Sequence, residues 1–281
     1  RMAFLEGYTT AKAANPYIDY EFAVGIGNFT RVLEYPGFMT CLKNTILLCV
    51  LTVPISTFLA LLIAVALNSI KPFQRLLQTI FFMPYVTNSI AIGMVFAAMF
   101  NMIGLRADGA ADSVGIINNI IVFFGGEPIN WMNAGSDYWA NMTVMIVYIV
   151  WNALPFKILI LLGGLQSINK QYYDAAKVDG TPKVRVLTRI TVPLLSPMLA
   201  YVIITGFIGG FKEYSSIVGV FGDKMGPAHD AGSLNTMVGF VYDQIAKDRQ
   251  GLASAAALIL FAIILVVTLI NTKVSNKSVH Y

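Results

Sequence analysis

Few residues of this 281-residue chain are of a type and spacing that suits chemistry, and most of them lie in or beside long apolar runs. Asn152 and Phe156 stand four apart in one run and so share a helical face. An amide for hydroxyl groups and an aromatic plane for C–H groups is the mixture that carbohydrate recognition uses. In a later run Gly206, Gly210 and Glu213 recur at helical spacing, which puts a carboxylate on a glycine face. Such glycines leave room for a ligand or let a neighbouring helix approach, and both readings stay open. Lys212 precedes Glu213 directly, so the two point in different directions and are not a natural ion pair. Catalytic groupings are missing from the sequence, which has no Walker A loop and no Ser/His/Asp set. His229 lies in a loop and His280 near the C-terminus, and Cys41 and Cys49 flank the start of an apolar run as small apolar residues. No metal site is expected from them.

The segment Tyr172-Tyr173-Asp174-Ala175-Ala176-Lys177-Val178-Asp179-Gly180-Thr181-Pro182 carries a different signal. Ile168 to Val178 is compatible with a helix that bears a small-residue pair, and Asp179-Gly180 breaks it. Pro182 suits the first turn of a second helix holding Lys183, Arg185 and Arg189, and Pro193 is expected to end that helix. Two short helices around a glycine turn make a rigid knob, a shape suited to docking into a groove on another protein.

The elements that hold these residues are expected to be membrane spans. Hydrophobic residues make up 57% of the chain and charged residues 12%, against about 45–50% and about 25% in soluble domains. Five stretches reach the roughly 20 apolar residues that a bilayer needs: about 44–67, 77–102, 139–165, 194–221 and 252–270. Pro54, Pro84 and Pro155 fall inside them, which neighbouring helices make tolerable. The fold class is therefore an all-α polytopic membrane protein. Residues 1–43 form a mixed segment with turn signals at Asn15-Pro16 and Tyr35-Pro36-Gly37, and 26–43 has room for an amphipathic interfacial helix. Residues 101–137 and 222–251 read as polar loops, 44–274 as the membrane domain and 275–281 as a tail.

Charge placement predicts orientation. The 68–75 loop, the 167–193 loop and the tail carry nine basic residues (Lys71, Arg75, Lys170, Lys177, Lys183, Arg185, Arg189, Lys273 and Lys277) and two acids, Asp174 and Asp179. The opposite side carries eight basic residues, Arg106 among them, against twelve acids. The first group is expected to be cytoplasmic. Five spans with a cytoplasmic C-terminus and no visible signal peptide imply a sixth, upstream span.

The spacing in the 167–193 loop resembles the EAA loop of ABC importer permeases. That pattern is an acid, two alanines, a glycine four residues on and a closing proline thirteen beyond it. Here those positions are Asp174, Ala175, Ala176, Gly180 and Pro193, and Asp179 and Ile190 also fit. Asp174 replaces the usual Glu, Thr181 an Ala and Val192 a Leu, all conservatively. Asn28-Phe29-Thr30 with Asn44-Thr45, Phe82-Met83-Pro84, Trp151-Asn152-Ala153-Leu154-Pro155-Phe156, Gly163-Gly164-Leu165-Gln166-Ser167-Ile168 and Gly251-Leu252-Ala253-Ser254-Ala255-Ala256 extend the resemblance over most of the chain. It is strongest to the maltose-type oligosaccharide permeases, and to the larger-looped member of their pair.

The resemblance implies a type I ABC importer transmembrane domain in the inner membrane of a prokaryote. It implies a second permease subunit, two cytoplasmic ATPase subunits, an external solute-binding protein and a sugar substrate. It also implies surrounding lipid and no nucleic acid. ATP and Mg would sit on the ATPase subunits, and no cofactor on this chain. Ungapped counting from Pro193 places the family's sugar site on Asn152, Ala153, Phe156, Gly206, Gly209, Gly210 and Glu213.

Three other readings compete. One is a related importer for amino acids, polyamines or phosphate. Phosphate would call for inward arginines, and none of the five spans holds one. A membrane enzyme would call for paired carboxylates or histidines at the membrane surface, which the sequence lacks. A secondary transporter has no need of the rigid 172–193 knob.

Overall fold

A computed structural model describes residues 1–14, 21–70, 74–101 and 115–278. Asn15-Pro16, Lys71, Met102, Arg106 and His280 lie outside the described residues. Those described residues fold into helices and connecting turns, with an isolated bridge between Leu5 and Val24. Among the described residues, three helices are long and apolar enough to cross a membrane: Phe38–Ser69, Tyr138–Ser167 and Gln250–Ser275. The pair Lys183–Leu194 and Ser196–Gly210 supplies a fourth if it is taken as one span bent by 70°. The final helix continues to Ser278, through most of the expected tail.

Several expected boundaries differ. The second apolar stretch is two helices, Gln74–Val86 and Ser89–Phe100, parted at Thr87-Asn88. Asn88 turns out of the helix, and its Oδ1 accepts from the Ile90 backbone N–H at 2.8 Å, capping the next helix. The fourth stretch stops at Gly210 and restarts as Ser215–Phe221. Helix Gly27–Glu34 lies within the 26–43 segment and buries Asn28 and Val32. Helices Ile116–Phe123 and Met237–Ala246 lie in stretches that read as loops. Thr236 caps the latter by accepting from Gly239 N–H at 3.3 Å.

The chain divides into two compact units. In the first (Arg1–Cys49, Asn88–Tyr148, Gly210–Leu265), Asn44 pins the 233–237 turn to the start of a long helix. Its Nδ2 donates to the carbonyls of Ser233 and Asn235 at 2.8 and 2.9 Å, and its Oδ1 accepts from the Tyr138 hydroxyl at 2.7 Å. Thr45 Oγ1 accepts from Met237 N–H at 2.9 Å. Helices Ser89–Phe100 and Ser215–Phe221 touch backbone to backbone at glycines. A Cβ on Gly93 would lie 2.7 Å from Gly219 Cα. Small residues at such crossings let helices pack closely in a membrane.

The second unit is Val50–Thr87, Ile149–Gly209 and Val266–Tyr281. Its core packs Ala60, Ala64 and Leu67 with Ile158, Leu161, Leu162 and Leu165, and with Leu195 and Val202. The first set falls at i, i+4 and i+7 and the second at i, i+3, i+4 and i+7, so each set forms one helical stripe.

Candidate transport pathway and coupling loop

The 167–193 loop has the expected build, with one shift. Asn169 Oδ1 accepts from Gln171 N–H at 3.0 Å and starts helix Lys170–Val178. The helix ends in a Schellman motif: Thr181 N–H donates to the Ala176 carbonyl at 2.9 Å, and Gly180 N–H to the Lys177 carbonyl at 3.1 Å. The motif needs a left-handed residue, and Gly180 takes φ +64. The alanine pair divides, with Ala176 buried and Ala175 exposed. Asp174 and Asp179 are also exposed, as are Lys170, Lys177, Lys183 and Arg185, so the surface of the knob carries both signs of charge. Lys177 lies 3.6 Å from Asp174, a pair open to solvent and weak.

Pro193 does not end the second helix. Helical turns run on to Leu194, and the 70° bend falls at Leu195. Proline cannot donate to the carbonyl four residues back, and the backbone answers by widening into a π-turn over Leu187–Thr191. Ile190 and Pro193 are half-buried in this stretch.

Among the pathway candidates of the second unit, Asn152, Ala153 and Phe156 are half-buried on helix Tyr138–Ser167. Phe156 stacks on Tyr85, with ring centroids 5.8 Å apart and planes at 20°. Tyr85 meets Phe82 in turn at 5.4 Å, and is itself 51% exposed. The result is a short aromatic ladder with an open face. Gly209 faces open space, whereas a Cβ on Gly206 would sit 3.1 Å from Val53 Cγ1 and 3.3 Å from Lys157 Nζ. Gly206 therefore serves packing.

In the first unit, Gly210 is also a packing glycine, since its Cβ would lie 2.8 Å from Cys49 Sγ. Glu213 is not on a glycine face, because the helix carrying that periodicity ends at Gly210. The Glu213 carboxylate instead accepts from Tyr214 and Ser216 N–H, each at 3.2 Å, at the start of helix Ser215–Phe221. A carboxylate is favoured there by the helix dipole. The Glu213 carbonyl accepts from Thr236 Oγ1 at 2.8 Å.

Two residues gain roles that the sequence did not assign. Tyr85 belongs to the ladder, and only its place three residues after Phe82 hinted at that. Lys157, 4% exposed, donates from Nζ to Ser56 Oγ at 2.7 Å, Thr57 Oγ1 at 2.9 Å and the Val53 carbonyl at 3.2 Å. A cation held inside apolar helices must be hydrogen-bonded in this way. It ties helix Tyr138–Ser167 to helix Phe38–Ser69 near Pro54.

Apolar helices of spanning length, a rigid polar knob and a half-buried aromatic and amide face fit a membrane transport component. Residues 52–279 match the family described as binding-protein-dependent transport system inner membrane component, and the chain belongs to that family. It is 31% identical to the arabinooligosaccharides transport system permease protein of Bacillus subtilis, over 90% of this chain and 76% of that protein. It is 29% identical to the lactose transport system permease protein of Rhizobium radiobacter, over 88% of this chain and 78% of that protein. The fold is similar to a bacterial ABC transporter involved in import of the acidic polysaccharide alginate. The TM-score there is 0.72 at 20% identity, covering 98% of this chain and 86% of that one.

Proposed function

We propose that this chain is the permease subunit of an ATP-driven importer that takes up oligosaccharides delivered by an external binding protein. The observation that carries the sugar assignment is the ladder of Phe82, Tyr85 and Phe156, half-open and one helical turn from the Asn152 amide. Aromatic faces with a nearby amide suit a ring that alternates C–H and hydroxyl groups. The relatives in Bacillus subtilis and Rhizobium radiobacter are named for arabinooligosaccharides and lactose, which supports the same substrate class.

In this reading the knob of Asp174, Ala175, Ala176, Asp179 and Gly180, with Ile190 and Pro193 behind it, docks on a cytoplasmic ATPase. A second permease completes the pathway, and ATP and Mg are held by the two ATPase subunits. ATPase closure biases a two-state helix bundle between outward and inward openings. In this reading residues 167–193 face the cytoplasm of a prokaryote, and 1–43, 101–137 and 222–251 face outward, in line with the basic residues on the first side. Asn152, Ala153, Phe156 and Gly209 line the pathway together with Tyr85. Gly206 and Gly210 keep helices close enough to form it.

Uptake by proteoliposomes holding the full complex tests the substrate class. Labelled arabinooligosaccharides, lactose and maltose are compared with histidine, arginine and putrescine. ATP-dependent uptake of at least one sugar is expected, with none of the amines. Uptake of an amine in place of every sugar would overturn the assignment.

A further inference from the structure

We propose that helix Ile116–Phe123, with Phe124 after it, seats an apolar stripe in the outer leaflet of the membrane and so anchors the stretch between two apolar helices to the lipid surface. The inference rests on the reading above that this stretch faces outward.

The helix is apolar nearly all round, and the fold of the chain uses one side of it. Ile116, Ile120 and Phe123 recur at i, i+4 and i+7, and Phe124 extends that stripe by one residue. All four are exposed, Phe123 by 82% and Phe124 by 81%, and the two rings meet edge to face at 5.3 Å. Asn118, on the opposite side, is fully buried. Its Oδ1 accepts from Ile129 N–H at 3.1 Å and from Trp131 Nε1 at 3.0 Å, and its Nδ2 donates to the Ile129 carbonyl at 2.9 Å. That clamp fixes which side turns outward. A patch of large apolar residues held in the open marks an interaction surface.

Level and hydrogen bonding say what covers it. The helix begins where the apolar helix Ser89–Phe100 ends: Gly115 N–H donates to the Asn101 carbonyl at 3.1 Å, and a Cβ on Gly115 would lie 2.5 Å from the Met99 carbonyl oxygen. Trp131, held by Asn118, lies edge-on to Phe100 at 5.6 Å. Both ends of the clamp are thus tied to the end of an apolar helix. Tyr138 and the exposed Trp139 then open the spanning helix Tyr138–Ser167. Aromatic residues at span ends sit at the level where lipid meets water. Below the headgroups lipid offers neither donors nor acceptors, so a face that enters it must have its polar groups satisfied. The backbone under the two phenylalanines is closed in this way: Phe124 N–H donates to the Ile120 carbonyl at 3.2 Å, and Gly125 and Gly126 N–H to those of Val122 and Ile121 at 2.9 Å. Residues 113–126 carry no charge, and the exposed Glu127 is the first after the stripe. A protein that docks and leaves is met across a polar and charged rim, whereas Asn119 is the one polar neighbour of the stripe on this helix.

Spin labels on the complete transporter test the seat in lipid. The complex is otherwise free of cysteine and sits in nanodiscs of phosphatidylethanolamine and phosphatidylglycerol. Phe123→Cys and Glu127→Cys each carry one label, and collisions with oxygen are compared with those of a water-soluble nickel chelate. At 123 oxygen should dominate, with the label about 5–10 Å into the boundary between headgroups and acyl chains. At 127 the chelate should dominate. Ready collision with the chelate at 123 overturns the proposal. Shielding of 123 from both reagents would assign the stripe to the second permease, and shielding that appears only on adding the binding protein would assign it to that protein. Either result overturns it. Phe124→Cys repeats the measurement if Phe123→Cys does not assemble, and failure of both would mean that the stripe packs on another subunit, which overturns it too. Orientation is read separately. If 123 meets lipid but an impermeant reagent reaches a cysteine at Glu127 only after lysis, the outward reading fails and the choice of leaflet with it, while the seat in lipid stands.

Discussion

At the scale of single residues, the pathway reading turns on the stacked pair Tyr85 and Phe156. An aromatic contact is worth roughly 0.5–1.5 kcal/mol beyond the area it buries. Phe156→Ala and Tyr85→Ala should therefore each raise the KM for sugar uptake by up to about tenfold, with the yield of assembled complex unchanged. A fall in yield with KM unaltered would return the ladder to a packing role. Glu213 separates two roles in the same way. Its carboxylate caps helix Ser215–Phe221 through Tyr214 and Ser216. Gln keeps an acceptor and Ala does not, so Glu213→Ala should cost about 1 kcal/mol of stability, the usual worth of a cap, and Glu213→Gln much less. Thermal unfolding of the purified complex checks this. A Glu213→Gln complex of normal stability that no longer transports would show that the charge itself meets the substrate.

At the scale of elements, the helices of the first unit depend on two kinds of contact. The crossing at Gly93 and Gly219 leaves no room for a Cβ, so Gly93→Ala must push two helix backbones apart. A cost of about 1–3 kcal/mol is expected for such overpacking, read as a lower midpoint of thermal unfolding. An unchanged midpoint would mean that the crossing is looser than 2.7 Å. The turn Thr10–Ala13 is held instead by Asp248. Its carboxylate accepts from the Thr10 hydroxyl, from Gln250 Nε2 at 2.8 Å and from Ala11 N–H at 3.3 Å. These bonds, the one from Thr10 first, keep its pKa below the ordinary carboxylate value. A depressed pKa means that the contribution is present above the unfolded value of about 3.9 and is lost as pH falls through the folded value. Hydrogen exchange at 10–14, corrected for intrinsic rates, should therefore lose protection below about pH 4. Asp248→Asn should remove that pH dependence, and protection that persists at low pH would detach the turn from Asp248.

The same scale shows why some elements were legible and others not. The Gly180 turn could be read because Asp-Gly followed by Pro182 is a local signal that needs no tertiary information. The breaks at Thr87-Asn88 and at 211–214 lie within apolar runs, where hydropathy stays high on both sides. Asn88 was a capping residue in view, yet one asparagine is a weak signal against such a run. Helix Met237–Ala246 was hidden by the glycines before it, although Thr236 marks its start. The contact of Tyr85 with Phe156 joins residues 71 positions apart, and no periodicity reports such a pairing.

At the scale of the whole molecule, the chain is an inner membrane component of a binding-protein-dependent transport system, and in the proposed reading it is driven from the cytoplasmic side. Its orientation is open to a direct check. In a background with Cys41 and Cys49 replaced, a cysteine at Glu127 should react with an impermeant reagent on intact cells, and one at Lys183 only after lysis. The reverse pattern would invert the topology and place the knob out of reach of ATP. The central claim is that the knob around Gly180 passes ATPase closure to the pathway. Valine at φ +64 would break the Schellman turn that shapes it. The most direct measurement is ATP hydrolysis by the reconstituted Gly180→Val complex on addition of sugar-loaded binding protein. The variant complex should still insert and still capture the binding protein, but its hydrolysis should no longer rise with sugar. Sugar-stimulated hydrolysis at the wild-type level in that variant would contradict it.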